Sequence, residues 1–314
     1  MSRRLPGRRA RSYAFIARGD RAGGHNGQQG EDVMGRAYEG GLYMVTRIVS
    51  GSVVERRKTK LTRRPAKRGG RIRGNSSEKK IVGNKEHAKL QLARTLNCNY
   101  RPGDLWLTAK FDQAGLEAIG GTYEGAKKAG KKFIDRVAYR LRKLGLVCKW
   151  VMVPSEIDGE TGQLVRPHVH LVIPGAAFAW HDRQLWLGSE TVGDIWGLGS
   201  VDVQFLRNQQ DYYALAAYLV NQARGVPDEK KWTCSRNMEK PKITREIVAG
   251  GGQLRIPPGA TELPGTRYDA MTGQNFVRYI PRKKDPHKKI GGRKEMAIAL
   301  AGEDDEGGGL DGLS

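Results

Sequence analysis

The segment RPHVHLVI, residues 166–173, holds His168 and His170, two of the six histidines in the chain. Side chains at positions i and i+2 of a β-strand point to the same face, so a strand here places both imidazoles side by side. Two neutral imidazoles in this arrangement can share one divalent cation. Taken alone, the segment is also compatible with two half-buried histidines that bind no metal.

A carboxylate and a turn precede this strand. Residues 150–156 (WVMVPSE) end in Glu156, and residues 158–162 (DGETG) form a polar, glycine-containing turn. Strand, turn and strand in succession predict a β-hairpin, which could bring Glu156 back towards the two histidines. Two imidazoles and one carboxylate would leave coordination positions open for a phosphate oxygen and water. Because Pro154 can bulge the first strand, the spacing does not fix the face on which Glu156 lies.

The charge of the chain is large and uneven. The 314 residues suffice for one large domain or two modest ones, and their formal net charge is +22. Residues 1–90 hold 23 Lys and Arg against 7 Asp and Glu, a net of +16, which leaves +6 for the remaining residues. A basic arm of this kind favours a polyanion, usually nucleic acid. A solvated tail without a partner is the alternative.

Cysteine usage and hydropathy restrict the class of protein. Cys98, Cys148 and Cys234 are widely spaced and form no CxxC pair, which argues against a zinc ribbon or a disulfide framework and indicates a reducing cytoplasm. No stretch approaches the roughly 20 apolar residues of a membrane span, so we expect no membrane association. A P-loop motif is also missing from the sequence, which excludes an ATPase domain of that type.

Local composition divides the chain into three parts. We predict a basic, largely disordered arm over residues 1–83 with a hairpin at 37–58, a folded domain over 84–245, and a Gly/Pro-rich extension over 246–314 that ends in an acidic tail. Four cations of the arm are candidate nucleic-acid contacts: Arg63, Arg64, Lys67 and Arg68.

Within the folded domain, apolar spacing predicts a mixture of strands and helices. The predicted helices cover residues 85–97, 122–144 and 209–223, and the predicted strands cover 104–108, 147–157, 164–173 and 200–205. Because consecutive strands are joined by a tight turn, this order predicts an α+β fold in which helices pack on an antiparallel or mixed sheet.

The last predicted helix carries three tyrosines, Tyr212, Tyr213 and Tyr218. At 100° per residue, Tyr218 shares a face with small and polar side chains that include Asn221 and Gln222, whereas the other two tyrosines lie off that face. An accessible tyrosine could attack a phosphate if a nearby cation stabilised the developing charge. Packing and hydrogen bonding are the alternative role for a helical tyrosine.

Taken in the order in which they occur along the chain, its motifs resemble those of the HUH endonuclease superfamily. The resemblance is in particular to a rolling-circle replication initiator (Rep) of phages or mobile elements. The resemblance covers about residues 84–243. The segments that carry it are 92–100 (LARTLNCNY), 104–108 (DLWLT), 167–170 (PHVH), 217–220 (AYLV) and 234–241 (CSRNMEKP).

The resemblance implies a central antiparallel sheet of about five strands with a metal site on one face. His168 and His170 would hold Mg²⁺ or Mn²⁺ with Glu156 as the third ligand. Tyr218 would be the nucleophile and would form a 5′-phosphotyrosine, freeing a 3′-OH that primes synthesis. Relatives often place a lysine three or four residues after this tyrosine. Here the positions hold Asn221 and Gln222, which can hydrogen-bond a water or a phosphate but bring no charge.

The resemblance also implies partners and a location. Single-stranded DNA at a replication origin and the host replication machinery would be the partners, in the cytoplasm of a bacterial host cell. Arg236, Asn237 and Lys240, in the last motif, are further candidate DNA contacts. An HUH transposase or relaxase, a metal-dependent phosphodiesterase without a covalent step, and a non-catalytic basic DNA-binding protein are the alternatives.

Overall fold

The two histidines lie on a β-strand in the middle of a sheet, in a computed structural model that describes residues 41–61, 78–224, 229–250, 252–269 and 274–282. Within these ranges the helices are α1 (Glu78–Asn99), α2 (Gln113–Ala118), α3 (Tyr123–Lys143), α4 (Val192–Trp196) and α5 (Tyr213–Gln222). The strands are β1 (Leu42–Ser50), β2 (Val53–Lys60), β3 (Leu105–Lys110), β4 (Val151–Ile157), β5 (Leu164–Ile173), β6 (Phe178–His181), β7 (Gln184–Leu187), β8 (Glu190–Thr191), β9 (Val201–Phe205), β10 (Thr233–Cys234), β11 (Lys242–Ala249), β12 (Thr261–Glu262), β13 (Arg267–Asp269) and β14 (Gln274–Ile280).

The central sheet has five strands in the order β10-β4-β5-β3-β9, and all its pairings are antiparallel. This confirms the predicted α+β class and the antiparallel sheet of about five strands. The hairpin predicted on either side of residues 158–162 is formed by β4 and β5. None of the helices in the described ranges is long and apolar enough to cross a membrane.

Alternation along β5 divides its side chains between two packed layers. Val169, Leu171 and Ile173 are buried against α3, in a core that includes Phe133. Val172 faces the opposite layer, where α1 and α5 cover the β4 side of the sheet. His168 and His170 have the parity of Val172 and therefore point to the α5 side.

Helix α3 begins and packs as its sequence dictates. The Thr122 hydroxyl accepts a hydrogen bond from the Gly125 N–H at 3.1 Å, which caps the first turn. Gly130 lets the helix approach the sheet closely, because a Cβ built there would lie 2.9 Å from both Val169 Cγ1 and Met152 Sδ. The helix thereby closes the apolar side of the sheet, opposite the histidines.

A second sheet joins segments that local composition had separated. Its order is β11-β1-β2-β14-β12, with β13 also paired to β14. The hairpin predicted at 37–58 corresponds to β1 and β2, but these strands pair with β11 and β14 rather than standing apart in a basic arm. The predicted boundary at 245/246 falls inside β11. Pairing between distant segments depends on long-range contacts, which local composition does not encode.

The remaining strands, β6, β7 and β8, form a small third sheet. Residues 1–40 and 62–77 of the predicted arm, which include Arg63, Arg64, Lys67 and Arg68, lie outside the described residues, as does the acidic tail. Residues 78–83 of the predicted arm belong to α1.

A buried network of four charges fastens the second sheet to the rest of the fold. Glu55 on β2 accepts a hydrogen bond from Arg94 Nε on α1 at 3.0 Å. Arg278 on β14 lies 3.6 Å from Glu55 and donates to Asp211, next to the start of α5, at 3.0 Å. The side chains of Glu55 and Arg278 are each only 1% exposed. With two cations and two anions the network is neutral, which is the condition under which buried charges are tolerated.

Replacing Arg278 with methionine should strongly destabilise the protein, since Glu55 and Asp211 would then face a single buried cation. We expect the free energy of unfolding to fall by about 3–5 kcal/mol in urea denaturation. Arg282→Met, at an exposed position four residues later, is the matched control and should change stability little. Equal stability of the two variants would show that the network does not anchor the sheet.

Candidate functional site

The two imidazoles and one amide oxygen converge on a single point. His168 Nε2 lies 3.1 Å from His170 Nε2. The Oε1 atom of Gln222, in the last turn of α5, lies 2.8 Å from His170 Nε2 and 3.2 Å from His168 Nε2. Adjacent ligands of an octahedral ion with bonds of about 2.1 Å are about 3.0 Å apart. Two neutral imidazoles and an amide oxygen with this spacing therefore fit one face of an octahedral divalent cation.

The hydrogen bonds of the two rings determine which ring nitrogens are free to bind a metal ion. His168 Nδ1 lies 3.0 Å from the Arg166 carbonyl oxygen and can donate its proton there, which leaves the lone pair of Nε2 free. Burial, reinforced by the neighbouring His168, lowers the pKa of His170 to about 4, so its ring is neutral at pH 7. His170 Nδ1 accepts a hydrogen bond from the Trp106 indole N–H at 3.4 Å, so Nε2 of this ring carries the proton and donates to Gln222 Oε1. Binding an ion through this Nε2 would require the proton to move to Nδ1, where the Thr108 hydroxyl, 3.1 Å away, could accept a hydrogen bond from it.

Glu156, predicted as the third ligand, is placed elsewhere. The register of β4 against β5 shifts between Ser155 and Ile157, so Glu156 lies at a β-bulge. Its Oε1 atom is 3.1 Å from Arg224 Nε. Ser155 is the residue opposite His168, and its hydroxyl donates to the Gln222 carbonyl oxygen at 2.6 Å. In the described part of the chain, no group of three His, Cys, Asp or Glu residues could hold a metal ion.

Tyr218 lies on the same groove as the two histidines. It is one turn before Gln222 on α5, and four residues apart on a helix means a shared face. Its side chain is 44% exposed and packs edge-on against Trp106, with ring centroids 5.3 Å apart. The ring centroids of Tyr218 and His170 are 6.1 Å apart. The helix thus carries both the exposed phenol and the amide that meets the histidines.

The other two tyrosines predicted on this helix contact other parts of the fold and do not face the groove. Tyr212 is 3% exposed and packs in the core between α5 and the sheet. Tyr213 donates from its hydroxyl to Glu86 at 3.1 Å, and the Arg278 guanidinium lies over its ring. Neither lines the groove, and neither does Asn221, which was predicted as catalytic support alongside Gln222.

The groove has a volume of about 550 Å³ and runs across β5, β3 and β9. Besides the residues already described, its walls include Arg166, Lys110, Asp202 and Gln204. Lys110 and Asp202 form a salt bridge between neighbouring strands. Sequence reasoning assigned no role to Thr108 or Lys110. The signal that could have found them is the alternation of β3, which puts both on the histidine face beside β5.

The predicted DNA contacts of the last motif lie away from this groove. Arg236, Asn237 and Lys240 follow β10, which pairs with β4 at Val151 and Met152, towards the end of β4 remote from the histidines. Asn237 donates from Nδ2 to the Cys148 carbonyl oxygen at 3.3 Å. All three residues are exposed, so their proposed contact with DNA would be made outside the groove.

Comparisons of the chain with protein-family models, with curated proteins and with solved structures find no match. The function of the protein is therefore inferred from the chemistry of the groove.

We expect substitutions of Gln222 and of Glu156 to affect metal affinity differently. Gln222→Ala should weaken the affinity for Mn²⁺ by at least about tenfold, because it removes one of three converging atoms. Glu156→Ala should leave that affinity nearly unchanged, since this carboxylate pairs with Arg224. Titration followed by the electron paramagnetic resonance of free Mn²⁺ measures both. A larger loss in Glu156→Ala than in Gln222→Ala would restore Glu156 as the third ligand.

Proposed function

We propose that the protein is an HUH-type DNA endonuclease and strand transferase. In this proposal it nicks and rejoins single-stranded DNA at a replication origin to initiate rolling-circle replication. The observation that carries the proposal is the placement of the exposed Tyr218 phenol on the same groove as His168, His170 and Gln222. A phenol nucleophile next to three atoms that could hold a divalent cation suits phosphoryl transfer to tyrosine.

The proposed reaction is a transesterification. Tyr218 Oη attacks the phosphorus of a phosphodiester, and a bond from Oη to phosphorus forms. The bond from phosphorus to the 3′ oxygen breaks. The phenol loses its proton and the 3′ oxygen gains one, so the products are a 5′-phosphotyrosine and a free 3′-OH. Because no water enters, attack by a 3′-OH on the phosphotyrosine reverses the step and rejoins a strand.

A divalent cation, Mg²⁺ or Mn²⁺, held by His168, His170 and Gln222 would supply positive charge beside the phosphate oxygens. Tyrosine ordinarily has a pKa near 10, so attack by the phenol benefits from such charge. Trp106 supports the Tyr218 ring from one side and limits the directions in which its hydroxyl can point. Lys110 and Arg166 bring positively charged side chains to the groove walls, where Asp158 and Asp202 balance their charge.

The dimensions of the groove favour a single strand of DNA. It crosses three neighbouring strands of the sheet, a width of about 10 Å, and is open to solvent. Its walls offer amide, hydroxyl and cationic groups beside apolar ones, which suits a flexible strand with both phosphates and bases. A transposase or relaxase of the same superfamily would use the same groove on a different DNA end, so the identity of the cleaved site separates these alternatives from a replication initiator.

Tyr218→Phe should abolish both strand cleavage and the covalent adduct, because only the hydroxyl is lost and the ring still packs on Trp106. The assay incubates the protein with Mn²⁺ and circular single-stranded DNA, which samples many sequences, and then detects DNA-linked protein after denaturation in SDS. Tyr139→Phe, at an exposed position on α3, is the matched control and should keep full activity.

The same assay separates the alternatives. Cleavage that persists in Tyr218→Phe without an adduct would identify a metal-dependent phosphodiesterase and overturn the tyrosine mechanism. Binding without cleavage by the unaltered protein would leave only a DNA-binding role.

A further inference from the structure

The second sheet carries a cleft lined by two facing arginines. Arg47 on β1 and Arg56 on β2 border a cavity of about 270 Å³ with Thr244 and Glu246 of β11, and we call it the arginine cleft. Arg245 also borders it, but it lies opposite Thr46, so its side chain leaves the other face of the sheet. The only carboxylate among its lining residues is Glu246. This excess of cations lies outside the groove that contains Tyr218.

Strand alternation shows which way the arginine cleft faces. On β2, Arg56 follows Glu55 directly, so their side chains leave opposite faces of the sheet. Glu55 and its cross-strand neighbour Arg278 point to the network that joins the sheet to α1 and α5. Arg47 and Arg56 therefore point away from this network, and the cleft shares no lining residue with the groove that contains Tyr218. A ligand of the cleft would be held on a separate surface of the protein.

Among the described residues, few carboxylates neutralise the two arginines of the cleft. Arg47 and Arg56 are direct partners across the β1–β2 pair, a position in which like charges destabilise a sheet. In the described ranges, Arg47 forms no ion pair. Arg56 lies 3.8 Å from Glu246, whose side chain is 63% exposed, so this pair contributes little. An anion placed between the guanidinium groups would remove the repulsion.

Further cations extend along the same face. Lys242 lies opposite Val49 and Lys60 lies opposite Tyr43, both with the parity of Arg47, and both are exposed. The positive side chains thus form a band across β11, β1 and β2 rather than a single point. Such a band matches a polymer of regularly spaced anions better than one small ion.

We propose that the arginine cleft binds the phosphodiester backbone of DNA, as a second contact outside the nicking groove. The planar guanidinium fork matches two phosphate oxygens, and the Thr244 hydroxyl can donate to a third. The cleft would contact the phosphates of the DNA rather than its bases, because it presents charged side chains and no exposed aromatic ring. This inference extends the proposed function, but the binding it describes does not require cleavage by Tyr218.

The test removes the two facing arginines and measures DNA affinity against salt. For Arg47→Ala/Arg56→Ala, we expect about tenfold weaker binding of a labelled oligonucleotide at about 50 mM salt. The slope of log affinity against log salt should shrink by about 1.4 for a single strand or about 1.8 for a duplex, because two phosphate contacts are lost. Comparing the two forms of DNA identifies which one the cleft holds.

Three controls make the result specific. Lys131→Ala/Lys132→Ala removes the same charge from an exposed face of α3 and should leave the slope unchanged. The thermal unfolding temperature of Arg47→Ala/Arg56→Ala should be no lower than that of the unaltered protein, because the substitutions remove a repulsive pair of charges. Cleavage of a short saturating oligonucleotide should persist, which separates this inference from the tyrosine mechanism.

An unchanged affinity and salt slope in Arg47→Ala/Arg56→Ala would overturn the inference. It would also be overturned if polyglutamate displaced DNA from the unaltered protein as effectively as unlabelled DNA does, since the cleft would then recognise carboxylates rather than phosphates.

Discussion

The candidate site depends on the alternation of one strand between two packed layers. Strand β5 is hydrogen-bonded on both sides, to β4 and β3, so its register is fixed along its length. Val169 and Leu171 pack in the layer that contains α3. Because side chains alternate along a strand, His168 and His170 must then point to the other face of the sheet. A slip of one residue would put both imidazoles into the apolar core and expose two large hydrophobic side chains. The same packing that stabilises the sheet therefore aims the histidines.

The position of helix α5 is the second requirement. Asp211, just before the helix, accepts hydrogen bonds from Asn97, from the Tyr213 N–H and from Arg278. At the other end, the hydroxyl of Ser155 holds the carbonyl group of Gln222. The helix is thus tied to α1, to the second sheet and to β4. Because Tyr218 and Gln222 share one face of this helix, fixing its two ends places both the phenol and the amide oxygen at the histidines.

The sequence predicted those parts of the fold and of the site that depend on local periodicity. The spacing of two in His168-Val169-His170 and the face of Tyr218 on its helix follow from strand and helix geometry alone, and the structure places all three residues on one groove. The third converging group did not follow from spacing, because the bulge after Ser155 changes the parity of Glu156. The second sheet was also missed, since β2 is rich in charge and its partners are far away in the sequence.

We propose Tyr218 as the nucleophile of a groove that cleaves DNA. The most direct measurement is mass spectrometry of the protein–DNA adduct, trapped with single-stranded DNA, digested with nuclease and protease, and sequenced by fragmentation. We expect a nucleotide joined through its 5′ phosphate to Tyr218. A nucleotide on Tyr212 or Tyr213, or a 3′-linked adduct on Tyr218, would contradict the geometry or the polarity of the proposed reaction.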